Sequence, residues 1–424
     1  MIRRKKQSST VFDPGQLSIQ LRENATKAYP DNIVSQKDLL DSVYGVSLEN
    51  NIPLQYVLGV DVLALGRCMS LVGSWGSSKS SLGWYIAKMF LEIGGLVVGI
   101  DTEHKQNPDQ VRAIIDNDVL FERIIYSKAD SLDQMLDFMF FWTKEYERLI
   151  PDKNVPMLIL VDSLNAVTSE KAGEERMAGS ETTGYSAARN AGEISDAMKS
   201  FVPKCLDRNP ILAVIINHQK IDISKMVMPG RAAPTHEPGG VHKDFAYTWK
   251  LELKKAETRK SVYGEIPYFK IKGGKSSLGV QKKYAISVPY KSSYADDLEH
   301  IHYDWDESLA DLLTSDAVSS TLLKDIMHLT KAGNKYTSKT LNLEGVTASE
   351  IGRAIHADKE LSKRIKEDLL HIRIKRKFGG IDDTDSGSEG TSKPASAENI
   401  EGNAEPGSTI IEPLDEYVEE ENGG

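Results

Sequence analysis

The chain has 424 residues, of which 40% are hydrophobic and 27% are charged, so it can bury one large core or two. No run of about 18 apolar residues occurs, and the first ten residues lack the apolar segment of a secretory signal. The only cysteines, Cys68 and Cys205, have no metal-ligand spacing. These features exclude a membrane-spanning or disulfide-stapled class, and we expect a cytoplasmic protein.

The negative net charge lies at the C-terminus. The chain carries −10 overall, but residues 381–424 hold thirteen acidic residues and one lysine. Residues 1–380 are therefore slightly basic. An acidic tail of this kind solubilises a protein, or competes with a polyanion for a basic site on the same chain. If residues 381–424 screen such a site, we expect truncation to tighten binding; a tail that serves another partner would leave affinity unchanged.

Four regions follow in chain order. Residues 1–54 are predicted to be a basic N-terminal arm and oligomerisation element. Residues 55–300 alternate strand-like and helical segments, which is typical of an α/β core with a mainly parallel sheet. Residues 301–378 have a helical pattern and are predicted to be a small all-helical domain. Residues 379–424 are predicted to be a disordered acidic tail.

The predicted core contains six strands and four helices. The strands are Cys68–Val72, Leu96–Asp101, Met157–Asp162, Ile211–Asn217, Tyr247–Lys254 and Tyr268–Lys272, and the helices are about 79–93, 107–116, 130–149 and 185–207. Long polar stretches at 168–184 and 219–244 interrupt them. Loops of that length in a folded domain usually have a function.

A phosphate-binding loop is indicated between the first core strand and the first core helix. Gly73 opens the pattern and Lys79-Ser80 closes it, although Ser78 stands where the second glycine is expected. The residues assigned to the loop are Gly73, Ser74, Trp75, Gly76, Ser77, Ser78, Lys79, Ser80 and Ser81. Taken alone, the stretch fits a nucleotide site or an ordinary Gly/Ser turn.

Polar residues end the neighbouring strands. Asp162 closes LILVD, where a carboxylate would hold Mg²⁺ together with Ser80. Asp101 and Glu103 follow the preceding strand, where a carboxylate can deprotonate an attacking water. The alternative for Asp162 is an ordinary turn at the end of a strand, and the alternative for Asp101 and Glu103 is a solvated helix start.

Asn217 and His218 end a third buried strand, where polar groups can detect a terminal phosphate. The alternative for His218 is an ordinary hydrogen-bonded histidine.

In combination these segments resemble the core of the RecA-type homologous recombinases over residues 55–290. The segments that carry the resemblance, in order, are Gly66–Gly73 with Lys79, Ile100–His104 with Pro108, Val161–Ser163, and Pro234–Phe245 with Trp249–Leu253. Ser78 and the Asn217-His218 pair look more like the recombinases of large bacteriophages. An aromatic residue that commonly stacks on adenine is replaced near Gln110.

The resemblance implies ATP and Mg²⁺ as cofactors, with ATP bound between subunits. Lys79 would hold phosphates, Glu103 would activate water, and His218 would relay the phosphate state to a DNA loop. Lys272 and Lys275 would reach the nucleotide of the adjacent subunit, while the alternative is a pair of turn lysines.

The two long polar stretches would be DNA-binding loops. Their proposed contacts are Arg176, Arg189, Lys225, Met226, Met228, Arg231, Gly239, Gly240 and Lys243. The alternative is that these loops pack on a neighbouring subunit. Expected partners are single-stranded DNA, homologous duplex DNA, further copies of the chain in a helical filament, and a single-strand-binding protein or mediator.

The predicted activity is therefore an ATP-dependent DNA strand-exchange reaction. Two alternatives stay open at this point: a hexameric helicase or motor with the same core, which would form closed rings, and a DNA-binding filament that has lost hydrolysis, which the missing loop glycine allows.

Overall fold

The structure is a computed structural model. It describes residues 23–25, 27, 45–48, 51–164, 167–169, 185–221, 235–237, 242–261, 264–278, 285–294, 297–314 and 328–370. Most of the N-terminal arm and of the two long polar stretches, and all of the acidic tail, lie outside these ranges. No helix in the described part combines the length and apolar character needed to cross a membrane.

Sixteen strands lie in the described part of the chain. They are β1 (Gly45–Ser47), β2 (Val62–Ala64), β3 (Arg67–Gly73), β4 (Leu96–Asp101), β5 (Ile124–Lys128), β6 (Met157–Asp162), β7 (Ile211–His218), β8 (Lys220–Ile221), β9 (Thr235–His236), β10 (Trp249–Ser261), β11 (Gly264–Ser276), β12 (Ala285–Tyr294), β13 (Asp297–Tyr303), β14 (Leu329–Ala332), β15 (Lys335–Ser338) and β16 (Leu343–Val346).

The α-helices of the described part cover the sheet and form much of the C-terminal region. They are α1 (Ile52–Leu58), α2 (Lys79–Glu92), α3 (Pro108–Ile115), α4 (Asp118–Phe121), α5 (Leu132–Leu149), α6 (Tyr185–Phe201), α7 (His242–Ala246), α8 (Trp305–Thr314), α9 (Ala348–Ala357) and α10 (Lys359–Leu370). A π-helical turn, Val202–Leu206, continues α6.

Nine strands form one mixed sheet in the order β13-β12-β11-β10-β3-β7-β6-β4-β5. The six strands from β10 to β5 are parallel, and β10 to β13 pair antiparallel. Their buried side chains form two apolar clusters, one of which includes residues of α1, α2 and α8 while the other includes residues of α5 and α6. This confirms the predicted α/β core with a mainly parallel sheet.

The register of the parallel strands places the polar residues at one edge. Gly73 pairs with His218, and Asp101 pairs with Asp162. Because the carboxyl ends of parallel strands meet on the same side of the sheet, the phosphate loop and these three residues face one crevice.

The all-helical prediction for the C-terminal region is wrong at β14–β16, which form a three-stranded antiparallel sheet between α8 and α9. These strands have four residues each and are largely exposed, so they lack a clear apolar alternation. In addition, β13 crosses the predicted domain boundary at residue 300 and pairs with β12.

Candidate nucleotide site

The backbone of the phosphate loop has the shape that an anion site needs. Gly76 and Ser78 adopt positive φ angles of 68° and 65°, and α2 starts directly afterwards at Lys79. A side chain at Gly73 would place its Cβ 2.2 Å from the carbonyl oxygen of Leu253, so only glycine fits there. Among the loop residues Trp75 projects outwards and is 88% exposed.

The Lys79 side chain lies inside the loop and is 4% exposed. Its ammonium donates to the carbonyl oxygen of Ser74 at 2.8 Å and to the hydroxyl of Ser77 at 3.4 Å. Burial lowers the pKa of Lys79, while the carboxylates of Asp162 and Glu103 oppose that shift. A phosphate entering the loop would therefore meet a buried cation whose present hydrogen bonds are to neutral oxygens.

Ser78 occupies the left-handed region that the expected glycine would adopt freely. For an L-residue this conformation costs roughly 1–2 kcal/mol. The hydroxyl of Tyr303 contacts both the hydroxyl and the carbonyl oxygen of Ser78, at 2.5 Å and 2.8 Å. The mismatch in the motif is thus accommodated without loss of the loop geometry.

Asp162 and Ser80 have the oxygen donors that Mg²⁺ prefers. Burial raises the pKa of Asp162 to about 6, against a hydrogen bond from Ser80 that lowers it. A divalent cation bound here would compensate the buried negative charge and so lower the pKa of Asp162 again. No group of three acidic, histidine or cysteine side chains that could hold a metal occurs in the described ranges, so the remaining ligands would come from water and phosphate oxygens.

The Glu103 carboxylate is held between two strands. Its Oε1 accepts a hydrogen bond from the Ser163 hydroxyl at 2.8 Å and lies 2.7 Å from Nε2 of His218. The hydrogen bond with His218 lowers the pKa of Glu103 to about 2, with burial opposing the shift and Ser163 supporting it. Glu103 is consequently ionised and fixed at neutral pH.

Asp101 lies beside Glu103 at the end of β4, as the sequence predicts, but its role is different. Its carboxylate accepts the backbone N–H groups of Glu103 and His104 at 3.0 and 2.9 Å, and its side chain is buried. It therefore shapes the turn that presents Glu103. Asn217 is likewise fully buried, beneath His218 at the end of β7.

Lys272 and Lys275 lie on β11, beyond β10 from the phosphate loop. Lys272 lies 3.4 Å from the Glu252 carboxylate, and Lys275 donates to the carbonyl oxygen of Asp244 at 2.7 Å. The register between β10 and β11 shifts at Gly274, where one extra residue forms a bulge. Side chains alternate along a strand, so the bulge returns both lysines to the same face.

Most predicted DNA contacts fall outside the described residues. These are Arg176, Lys225, Met226, Met228, Arg231, Gly239 and Gly240. Arg189 lies on α6 and forms an ion pair with Glu193 at 3.0 Å.

Lys243, another predicted DNA contact, is buried in this structure. It is 1% exposed and lies 3.5 Å from Asp244 and 3.8 Å from Glu237. Its burial depends on contacts with acidic residues that residue type alone did not reveal.

The sequence interpretation missed a basic face on β10 and β11. Lys254 and Lys270 are directly opposite each other and both are exposed. Like charges in opposite positions destabilise a sheet, so this pair favours an anion at this surface. The signal in the sequence was the pair of lysines at alternate positions of β11, Lys270 and Lys272, and the search for motifs did not use it.

The side chain near the expected adenine position, Gln110, approaches the hydroxyl of Tyr290 at 3.5 Å. The Tyr290 hydroxyl donates to Ser81 at 3.2 Å. Tyr290 therefore connects the loop helix with the region that was expected to contain the base, and the sequence did not single it out.

Comparison with known proteins agrees with this geometry. Residues 34–297 match the RecA N-terminal domain family. The chain is 24% identical to protein RecA of Acholeplasma laidlawii over 58% of this chain and 66% of that protein, which is slightly less than two thirds of its length. It is 23% identical to protein RecA of Tropheryma whipplei over 84% of this chain and 72% of that protein.

A third relative, protein RecA of Symbiobacterium thermophilum, is 25% identical over 62% of this chain and 67% of that protein. The family match covers the phosphate loop, all three polar strand ends and the Lys272–Lys275 pair. The chain belongs to the RecA family.

Proposed function

We propose that this protein is a DNA-dependent ATPase that forms helical filaments on single-stranded DNA and promotes pairing and strand exchange with homologous duplex DNA. The observation that carries the proposal is the fixed, ionised Glu103 at the edge of the crevice that also holds Lys79 and Asp162. Membership of the RecA family supports the recombination role.

The phosphate loop would bind the triphosphate of ATP. The backbone from Gly73 to Ser81 surrounds the anion, and Lys79 supplies the charge for the outer phosphates. Ser80 and Asp162 would hold Mg²⁺, which neutralises charge on the phosphate oxygens. Binding would draw the Lys79 ammonium away from Ser74.

Glu103 would orient and deprotonate the water that attacks the terminal phosphate. Its pKa of about 2 keeps it ionised at neutral pH, so it can accept a hydrogen bond from the water, and its contacts with Ser163 and His218 fix its direction. Its basicity would rise if the hydrogen bond from His218 weakened as the terminal phosphate binds. Because His218 contacts Glu103 and is the last residue of β7, it can respond to the terminal phosphate and pass that state directly to the DNA loop that begins at residue 219.

Hydrolysis would be completed by a second copy of the chain. Lys272 and Lys275 share one face of the sheet, so a neighbouring subunit can present both to the developing negative charge. This arrangement connects ATP binding with self-assembly. DNA would bind through the two long polar stretches and through the basic face of Lys254 and Lys270.

Lys79→Ala and Glu103→Gln test this function. Lys79→Ala is expected to abolish ATP binding and filaments on single-stranded DNA. Glu103→Gln is expected to bind ATP and to assemble, but to hydrolyse ATP at least about a hundredfold more slowly, which is the loss expected when a general base is removed. Lys144→Gln, on the exposed face of α5, is the control and should behave like wild type.

Electron microscopy with a slowly hydrolysed ATP analogue distinguishes filaments from closed rings. Closed rings, or normal strand exchange by Lys79→Ala, would contradict the proposal. A wild-type ATPase rate at buffer background would favour a filament without hydrolysis.

Two finer points belong to the same proposal. Ser78, in the position of the loop glycine, supports a place among the recombinases of large bacteriophages, and the acidic residues of 381–424 support a contact with a single-strand-binding protein or mediator.

A further inference from the structure

The phosphate loop is attached to a residue 225 positions away in the sequence. The hydroxyl groups of Ser78 and Tyr303 lie 2.5 Å apart, and the Tyr303 hydroxyl donates to the Ser78 carbonyl oxygen at 2.8 Å. That carbonyl also accepts the N–H of Leu82 at 3.1 Å, which is the first hydrogen bond of α2. The Tyr303 hydroxyl therefore contacts both the side-chain hydroxyl and the backbone carbonyl oxygen of Ser78, the residue that replaces the glycine.

The position of Tyr303 is fixed by its surroundings. Its side chain is 4% exposed and packs against Tyr290 and Trp305, with ring centroids 5.1 Å and 5.5 Å away. The next residue, Asp304, accepts hydrogen bonds from Lys291 at 2.7 Å and from Ser349 at 2.6 Å. Tyr303 therefore cannot move far without disturbing the end of β13 and the contact with α9.

The replacement of glycine by serine creates two requirements that glycine does not have. The backbone must be held in the left-handed region, which a side chain disfavours. The serine hydroxyl, which is half-buried, must also face a group that can hydrogen-bond to it rather than an apolar one. In this structure Tyr303 meets both requirements.

We propose that Tyr303 is a positioning residue for ATP binding, and that its hydroxyl holds Ser78 in the left-handed conformation that glycine would adopt unaided. The inference rests on the proposed function of the loop. It predicts that loss of the Tyr303 hydroxyl weakens ATP binding more when residue 78 is serine, whose left-handed backbone needs support, than when it is glycine, where only the hydrogen bond to the backbone carbonyl is lost.

Four proteins test this dependence: wild type, Tyr303→Phe, Ser78→Gly and the double variant. We expect Tyr303→Phe to weaken equilibrium binding of a fluorescent ATP analogue with Mg²⁺ about tenfold, the effect of one lost buried hydrogen bond. In the Ser78→Gly background, where Tyr303→Phe removes only the hydrogen bond to the carbonyl oxygen of residue 78, the loss of affinity should be no more than about threefold. A merely structural role would give the same loss in both backgrounds, and that result would overturn the proposal.

Hydrogen exchange in the nucleotide-free protein gives a second readout. The Leu82 amide should exchange about tenfold faster in Tyr303→Phe than in wild type, and the double variant should differ much less from Ser78→Gly. Exchange unaffected by Tyr303→Phe would overturn the inference. If wild type failed to bind ATP, the proposed function would fail, yet this measurement would still decide whether Tyr303 holds the loop.

Tyr146→Phe is the matched control, because the Tyr146 hydroxyl also donates to a backbone carbonyl, that of Val155, away from the loop. It should leave ATP binding unchanged. If Tyr303→Phe fails to fold, Ser78→Ala replaces it. That variant keeps the disfavoured backbone but loses the hydroxyl, so it should bind ATP more weakly than wild type and Ser78→Gly. Equal binding by Ser78→Ala and Ser78→Gly would contradict the proposal.

Discussion

The Glu103 carboxylate lies 2.7 Å from Nε2 of His218, although 115 residues separate them in the chain. The two groups come from the ends of β4 and β7, and β6, which supplies Asp162, lies between these strands. The residue assigned to activate water is therefore held by the residue assigned to detect phosphate. Substitution of either residue should therefore alter the function of the other.

His218→Ala should reduce DNA-stimulated ATPase activity about tenfold or more, because it removes a hydrogen bond to a charged group. His218→Gln should retain most of the activity, since its amide can still donate to Glu103. The measurement is ATPase rate with and without single-stranded DNA. His104→Asn is the control: it removes a nearby imidazole that pairs with Asp130, and asparagine tolerates the positive φ of 54° at this position. Equal losses in His218→Ala and His218→Gln would contradict a role for the hydrogen bond.

The stability of the protein should depend on pH through Glu103. Because folding lowers the pKa of this carboxyl to about 2, its contribution to the free energy of unfolding is present above its ordinary pKa and is lost as pH falls towards 2. Urea unfolding should therefore show the largest difference between wild type and Glu103→Gln near pH 7. The difference should shrink progressively below about pH 5. A difference that is constant between pH 7 and pH 3 would contradict the ionised state assigned here.

Much of this arrangement could be predicted from the sequence, because the parallel strands are continuous apolar runs that end in polar residues. The phosphate loop, Asp162 and Glu103 are found from such local patterns. The Ser78–Tyr303 contact and the burial of Lys243 could not be found in that way. Each depends on a partner from a distant strand or on neighbouring acidic residues, and neither leaves a periodic signal.

The short strands β14–β16 were missed for a related reason. They are stabilised mainly by their packing against helices, through residues such as the buried Tyr336, and most of their other side chains are exposed. A strand of four residues with at most two buried positions is too short to be distinguished from a loop by its pattern. The tertiary contacts, rather than local preference, determine the structure there.

Deletion of Gly274 should preserve activity, whereas Lys275→Ala should abolish most of it. Removing the bulged residue leaves Lys272 and the second lysine two positions apart, so both still lie on one face of β11. We expect DNA-stimulated ATPase within about threefold of wild type for the deletion and at least about a hundredfold lower for Lys275→Ala, the scale of a missing cationic group in phosphoryl transfer. Loss of activity in the folded deletion variant would show that the bulge itself, and not the shared face, is required.

If the basic face of Lys254 and Lys270 binds DNA, removing its charges should weaken DNA binding and stabilise the protein. Replacing Lys254 and Lys270 by glutamine removes two like charges that lie directly opposite each other, so the free energy of unfolding should rise slightly. If both contact phosphates, binding of single-stranded DNA should weaken, and the slope of log affinity against log salt should fall by about 1.4. Lys144→Gln, on the exposed face of α5, should change neither quantity. If stability rises and the salt slope does not change, this face does not bind DNA. The two lysines would then be placed to bind another anion.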